Sequence, residues 1–516
     1  MTPRPTPWWR DAVCYQAYVR SYADSDGDGM GDLPGITAHL DHLADLGVDA
    51  LWITPFYPSP QHDHGYDVSD YRDVDPTYGT LADFDELLER AHGLGLKVIL
   101  DVVPNHTSED HPWFREALAG GPGSRARERY MFRPGSGADG SRPPNNWLSV
   151  FGGPAWERVP DGEWYLHLFD SSQPDLNWHD PEVRADFEKT LRFWLDRGAD
   201  GFRIDVAHGL FKEVDLPDVT DPADFAGGTV PGGPMWDQPE VHEVYRSWRQ
   251  VLDSYAGDRM AVAEAWAPTP EATARYVRPD ELQQAFNFHW LTATWSATAF
   301  REVIELTLDT LAPVGASATW VLANHDVVRP PTRYGGGVTG HARARAATLA
   351  MLALPGSAYV YQGEELGLEQ VEVATEDKQD PEYLNGRGPG RDGCRVPLPW
   401  SGEKPPYAFG PGTGQPWLPQ PDDWADVSVE AQRADPGSTM SFYRAVLAAR
   451  RDLDVAERGI TWLDAPAGVL CFRRGDLIVA MNCGERPWPL PAHETLVASS
   501  EPVDGTLPPN ATVWLR

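Results

Sequence analysis

Residues 84–103 read Phe84-Asp-Glu-Leu-Leu-Glu-Arg-Ala-His-Gly-Leu-Gly-Leu-Lys-Val-Ile-Leu-Asp-Val-Val103. Phe84, Leu87, Leu88 and Ala91 recur at helical spacing, and Lys97 to Val103 is an apolar run of strand length. Upstream, Ala50-Leu-Trp-Ile-Thr-Pro is a second strand, Ile36, Leu40, Leu43 and Leu46 mark a helix ending at Gly47, and Ala12 to Val19 is a first strand. Strand, helix and strand at this pace predict parallel βαβ units.

Downstream the rhythm breaks from Asn105 to about Asp175, where Gly, Pro, Asn and Trp crowd together. A structureless loop of that length is improbable in a compact domain, so a small inserted domain is expected over 105–175. The rhythm returns with a helix over Phe187 to Asp196 and strand four over Gly201-Phe-Arg-Ile-Asp205. Strand five is Ala261-Val-Ala-Glu264, strand six Ala285 to Trp290, strand seven Thr319-Trp-Val-Leu-Ala323, and strand eight Ala358-Tyr-Val-Tyr361. The reading is α/β, a (β/α)8 TIM barrel over 1–104 and 176–455, with the insertion after strand three. Gly363 to about Pro436 is a long Gly/Pro-rich loop, and Met440 to Asp452 a closing helix. Residues 456–516 alternate as a C-terminal antiparallel β domain.

Composition narrows the partners. A net charge of −34 argues against nucleic acid, which needs a basic surface, and against an anionic membrane. Twenty-one Trp supply both core and flat faces on which a sugar can stack. No apolar run is long enough to span a membrane, and Met1-Thr-Pro-Arg-Pro-Thr-Pro lacks the apolar stretch of a secretory signal. The four cysteines Cys14, Cys394, Cys471 and Cys483 have no metal spacing. They read as free thiols, so a cytoplasmic location is expected, as a monomer or small homo-oligomer.

Barrel enzymes place chemistry at the C-terminal ends of strands. Asp205 ends strand four, Glu264 ends strand five, and Asp326 follows strand seven. Two carboxylates are what retaining glycoside hydrolysis needs. Arg203 shares a strand face with Asp205, so its guanidinium is expected to favour the ionised carboxylate. Glu264, in Ala263-Glu-Ala-Trp, is expected among apolar groups that raise its pKa. Asp24-Ser-Asp-Gly-Asp-Gly-Met-Gly-Asp32 spaces four acids two, two and four apart, with glycines for a tight turn. That suits a hard cation such as Ca2+, although Gly35 stands where an EF-hand has its glutamate and no EF-hand helix precedes it.

Asp101-Val-Val-Pro-Asn-His106, Gly201-Phe-Arg-Ile-Asp-Val-Ala-His208, Ala263-Glu-Ala-Trp266 and Ala323-Asn-His-Asp326 resemble the four signature segments of the α-amylase family, in its order. Gln173-Pro-Asp-Leu-Asn177 resembles a further segment of the oligo-1,6-glucosidase and α-glucosidase branch. The resemblance implies Asp205 as nucleophile, Glu264 as acid/base, and Asp326 gripping the 2- and 3-hydroxyls. It implies that His106, Arg203 and His325 line a glucose pocket, that Asp101 supports it from behind, and that Tyr66 stacks under the sugar. Phe151 and Gln173 would help line it. Asp63-His-Gly-Tyr-Asp67 resembles a segment of exo-acting relatives whose first Asp pairs with an Arg to close the pocket. The favoured partner is Arg391, with Arg395 as rival. The metal loop resembles that of oligo-1,6-glucosidase relatives. It implies a structural Ca2+, replaceable by Mg2+, on the side chains of Asp24, Asp26, Asp28 and Asp32 and the carbonyl of Met30.

The activity so implied is a retaining exo-α-glucosidase on short α-glucosides. Val206, after the nucleophile, accompanies α-1,6 activity in the resembling branch, but Ala207-His208-Gly departs from the Ile-Asn that usually follows. Maltose-type α-1,4 links are therefore favoured. Oligo-1,6-glucosidase, or a transglucosidase or isomerase on the same fold, is the alternative.

Overall fold

The structure is a computed structural model and describes residues 6–226, 233–412, 414–453 and 459–516. Eight parallel strands form the barrel: β1 (Val13–Ala17), β2 (Ala50–Ile53), β3 (Lys97–Val102), β4 (Gly201–Ile204), β5 (Met260–Ala263), β6 (Gln284–Ala285), β7 (Thr319–Val321) and β8 (Ser357–Tyr361). Each pairs with its successor from β1 to β6, β7 pairs with β8, and β8 pairs with β1. A parallel bridge from Asn287 to Trp320 closes the ring between β6 and β7.

Both faces of these strands are buried, as a closed parallel sheet requires. Alternation divides the work. Cys14, Trp52, Ile99, Val262, Val321 and Tyr359 cluster together as one core, while Tyr15, Leu51, Ile53, Val98 and Leu100 join the larger core that contains the helices. Continuing the Ile99 and Val262 faces by two residues gives Asp101 and Glu264, both at the C-terminal end of the barrel.

Strand six is shorter than expected. The segment Phe288–Leu291 is a helix, not strand, because the Asn287 side chain accepts the Trp290 N–H (3.0 Å) and caps it. The long Gly/Pro-rich stretch after β8 also carries short helices at Pro381–Leu384, Asp392–Arg395 and Val429–Ala434, and the closing helix runs over Thr439–Arg451.

Between β3 and β4 the chain leaves the barrel. It builds a helix over Pro112–Gly120 and a three-stranded antiparallel sheet from Phe132–Pro134, Trp156–Arg158 and Glu163–Leu166. The Lys212 ammonium fastens this excursion to the barrel. It lies 2.6 Å from Asp175 Oδ2 and donates to Asn105 Oδ1 (2.9 Å) and the Gly209 carbonyl (2.6 Å), with all of its side chain buried but 1%.

At the C-terminus, Thr461–Trp462, Val469–Arg474, Leu477–Asn482, Ala511–Leu515 and Leu496–Ser499 form an antiparallel sheet in that order. It packs on the helix Gly337–Ala353, which is buried on every side from Ala346 onward, as a helix between two layers must be. Trp514 Nε1 donates to the Leu349 carbonyl across that contact (2.9 Å). The expected domain boundary at 455/456 lies outside the described residues.

Candidate active site

Arg203, 1% exposed, sits in register beside Asp101 of β3, and its guanidinium touches three carboxylates. Nη1 donates to Asp101 Oδ1 (2.9 Å) and Asp205 Oδ1 (2.5 Å), and Nη2 lies 2.9 Å from Glu264 Oε2. The residue lies beneath the pocket rather than on its wall, a correction to the expectation that it lines the pocket. Glu264 is likewise not set among apolar groups alone. Its Oε2 also accepts the Val206 N–H (2.9 Å), and Oε1 accepts from Trp266 Nε1 (3.2 Å).

Charge balance follows from this crowding. Burial pushes the Asp205 carboxyl well above the usual carboxylate range, and Glu264 and Asp101 push it further, against the pull of Arg203. Arg203 favours the ionised form of Asp205, as expected, but burial and the two neighbouring acids oppose it. Burial likewise raises Asp101 to about 6, opposed by Arg203 and by the Tyr66 hydroxyl, which donates to it at 3.0 Å.

Asp326 behaves oppositely. Burial would raise it, but His325, Arg391 and Arg395 outweigh burial and hold it well below the usual range. Its Oδ1 accepts from Arg391 Nη1 (3.1 Å) and Arg395 Nη2 (2.9 Å), and Oδ2 faces His325 Nε2 (3.3 Å). His325 is stacked on Tyr66, with ring centroids 5.2 Å apart and planes 8° apart. Burial lowers the pKa of both His325, against the pull of Asp326, and His106, the latter to about 4.

These groups surround a cavity of about 360 Å3, within the range of small-molecule sites. One end is shut by charge. Asp63 Oδ1 pairs with Arg391 Nη2 at 2.9 Å, so Arg391 and not Arg395 is its partner. Gln173 Nε2 donates to Asp63 Oδ2 (3.1 Å) and lies 3.1 Å from His106 Nε2, while the Arg391 guanidinium covers the Phe151 ring at 4.9 Å. Asp63 is raised to about 6 by burial, against Arg391 and Arg395. Above this end the chain after β8 meets the insertion, through Arg387 to the Ser149 carbonyl (3.0 Å) and Asn385 to Asp170 (3.1 Å).

Asp63, Tyr66, His106, Phe151, His325 and Arg391 line the cavity as expected, whereas Gln173, like Arg203, lies behind the wall, a correction, where it holds Asp63 and His106. Sequence reading missed Asp380, fully buried, which holds Arg391 through Nε (2.7 Å) and Nη2 (3.1 Å). The signal was Asp380-Pro381, a helix N-cap followed by Pro at the first helical position. It also missed Trp236, Phe169 and Glu382 on the wall, which no local pattern marks.

The alpha amylase catalytic-domain family model matches residues 16–459. The chain belongs to the α-amylase family. Among α-amylase family relatives, a probable alpha-glucosidase of Rhizobium meliloti (strain 1021) is 40% identical, covering 90% of this chain and 87% of its own. An oligo-1,6-glucosidase of Parageobacillus thermoglucosidasius is 37% identical over 88% and 85%. The crystal structure of the α-glucosyl transfer enzyme XgtA superposes with a TM-score of 0.89 at 40% identity, covering 99% of this chain and all of that one. As a member of this family the chain is a glycoside hydrolase, an enzyme acting on α-glucosides.

The acidic loop lies apart from this cavity. One ligand oxygen from each of Asp24, Asp26 and Asp28 falls within 4.8 Å of the others, the donor set a hard cation takes. Asp32 is outside this group. Its Oδ1 caps the helix Leu33–Ala38 by accepting the Gly35 N–H (2.6 Å), and its Oδ2 binds Ser25.

Proposed function

We propose that this enzyme is a retaining exo-α-glucosidase that releases α-glucose from the non-reducing ends of short α-glucosides, with maltose-type α-1,4 links preferred. The observation that carries this reading is the sharing of Arg203 by Asp205 and Glu264 in a cavity shut at one end by Asp63 and Arg391. Two carboxyls on one guanidinium suit the spacing of ~5–5.5 Å of a retaining pair. A closed end suits attack on a terminal unit only.

In this reading Asp205 attacks the anomeric carbon while Glu264 gives its proton to the glycosidic oxygen. The carbon–oxygen bond breaks, the alcohol leaves, and a glucosyl ester on Asp205 remains. Glu264, now a carboxylate, takes a proton from water as the water oxygen attacks the same carbon and frees Asp205. Asp326, held ionised, grips the 2- and 3-hydroxyls, and Asp63 with Arg391 reads the terminal 4-hydroxyl. Asp205→Asn and Glu264→Gln are expected to lower maltose turnover by at least ~10²-fold with the fold intact by circular dichroism. Near-wild-type turnover in either variant would remove the assignment.

The second reading is glucosyl transfer or α-1,6 specificity. Val206 on the wall beside Asp205 favours the α-1,6 option, and the 40% identity to an α-glucosyl transfer enzyme favours transfer. Products from concentrated maltose separate them: glucose alone supports hydrolysis, and trisaccharides as main product support transfer.

The Asp24, Asp26 and Asp28 oxygens fit a structural Ca2+, or Mg2+ in its place, with the Met30 carbonyl as a further ligand, while Asp32 shapes the loop through Ser25 and Gly35 instead of joining the set. Its contribution would be to brace the loop after β1. Four unpaired cysteines support a reducing, cytoplasmic setting. Among the described residues no helix is long and apolar enough to cross a membrane.

A further inference from the structure

Trp266, two residues beyond Glu264, is half-buried on the cavity wall. Its ring lies flat on Phe288, with centroids 4.0 Å apart and planes 11° apart, and its Nε1–H donates to Glu264 Oε1 at 3.2 Å. The other oxygen of that carboxyl is committed. Oε2 accepts the Val206 N–H and lies 2.9 Å from Arg203 Nη2. A proton on Oε2 would point at these donors, so the transferable proton has room only on Oε1. Val206 meets Glu264 from a left-handed backbone (φ +44°), a strained conformation for a β-branched residue. The carboxyl is thus clamped on one oxygen by strained backbone and on the other by a stacked indole.

We infer that Trp266 is a positioning residue for proton delivery, holding Glu264 Oε1 toward the leaving oxygen through its indole N–H. The inference rests on the reading of Glu264 as the acid/base. The indole N–H sets the direction in which Oε1 faces, and with it the path along which the proton is handed over. Removing it slows the step in proportion to how much proton the leaving group needs.

Trp266→Phe keeps a ring on Phe288 and removes the donor. The readout is kcat/KM on phenyl and 4-nitrophenyl α-glucosides, which place similar rings beyond the bond but differ in their need for a proton. The phenyl glucoside is expected to lose about tenfold and the 4-nitrophenyl glucoside less than about twofold. The retained nitrophenyl activity reports that the variant is folded. Equal losses on the two aglycones overturn the inference. Glu264→Gln run in parallel separates the two levels. If it shows no difference between the aglycones, the acid/base assignment fails. If it does and Trp266→Phe does not, only the role of Trp266 fails.

Discussion

At Asp63 the ion pair with Arg391 competes with burial, and burial prevails enough to bring the carboxyl to about 6. An acid raised in this way is ionised above that pH and protonated below it. Binding of the terminal hydroxyl should therefore weaken as pH falls through about 6, seen as a rise in KM for maltose. Asp63→Asn should raise KM at pH 7 and abolish that part of the pH dependence. A KM in the unchanged enzyme that is flat from pH 7 to 5 would contradict the assignment. At this scale the legible residues were those whose neighbours in sequence are also their partners in space or lie on adjacent strand ends: Asp101, Arg203, Asp205, Glu264, His325 and Asp326. Asp380 and Trp236 were not legible. Each comes from a long connection whose path is set by tertiary packing, and the Asp380-Pro381 pair marks only a helix start, not a partner for Arg391. What opposes Arg203 in the ionisation of Asp205 was not legible for a related reason. Strand alternation placed Arg203 beside it, but only the folded barrel brings Glu264 and Asp101 onto the same guanidinium.

Among the elements, the joint between insertion and barrel rests on the Lys212 ammonium and its fully buried partner Asp175. Lys212→Met removes one partner of a buried pair and should destabilise the fold by about 3–5 kcal/mol, read as a lowered denaturation midpoint. A midpoint within error of the unchanged enzyme would show that the pair is dispensable. For the acidic loop, removal of bound divalent cation with a chelator is expected to lower Tm by several degrees, and Ca2+ to restore it. Binding to the folded state alone stabilises it by mass action. An unchanged Tm would remove the proposed cation. Most barrel strands were readable because parallel strands buried on both faces are unbroken apolar runs. The exception is instructive. Ala285 to Trp290 carries the composition of a strand, yet Asn287 ends it after two residues by capping a helix, a competition that side-chain hydrogen bonding wins.

Over the whole molecule, a ring of eight strands brings acids separated by more than a hundred residues of sequence onto one guanidinium, and two long excursions roof the resulting hollow. The ring was legible from rhythm. The roof was not, since the contacts of Arg387 with Ser149 and of Asn385 with Asp170 join two irregular segments. The chemistry claimed for this assembly is double displacement, in which the anomeric carbon inverts twice. Proton NMR of maltose hydrolysis in its first minutes, before mutarotation, reads the outcome directly. Double displacement releases the glucose of the non-reducing end first as the α-anomer, which only then relaxes toward equilibrium. Glucose released first as the β-anomer would contradict it.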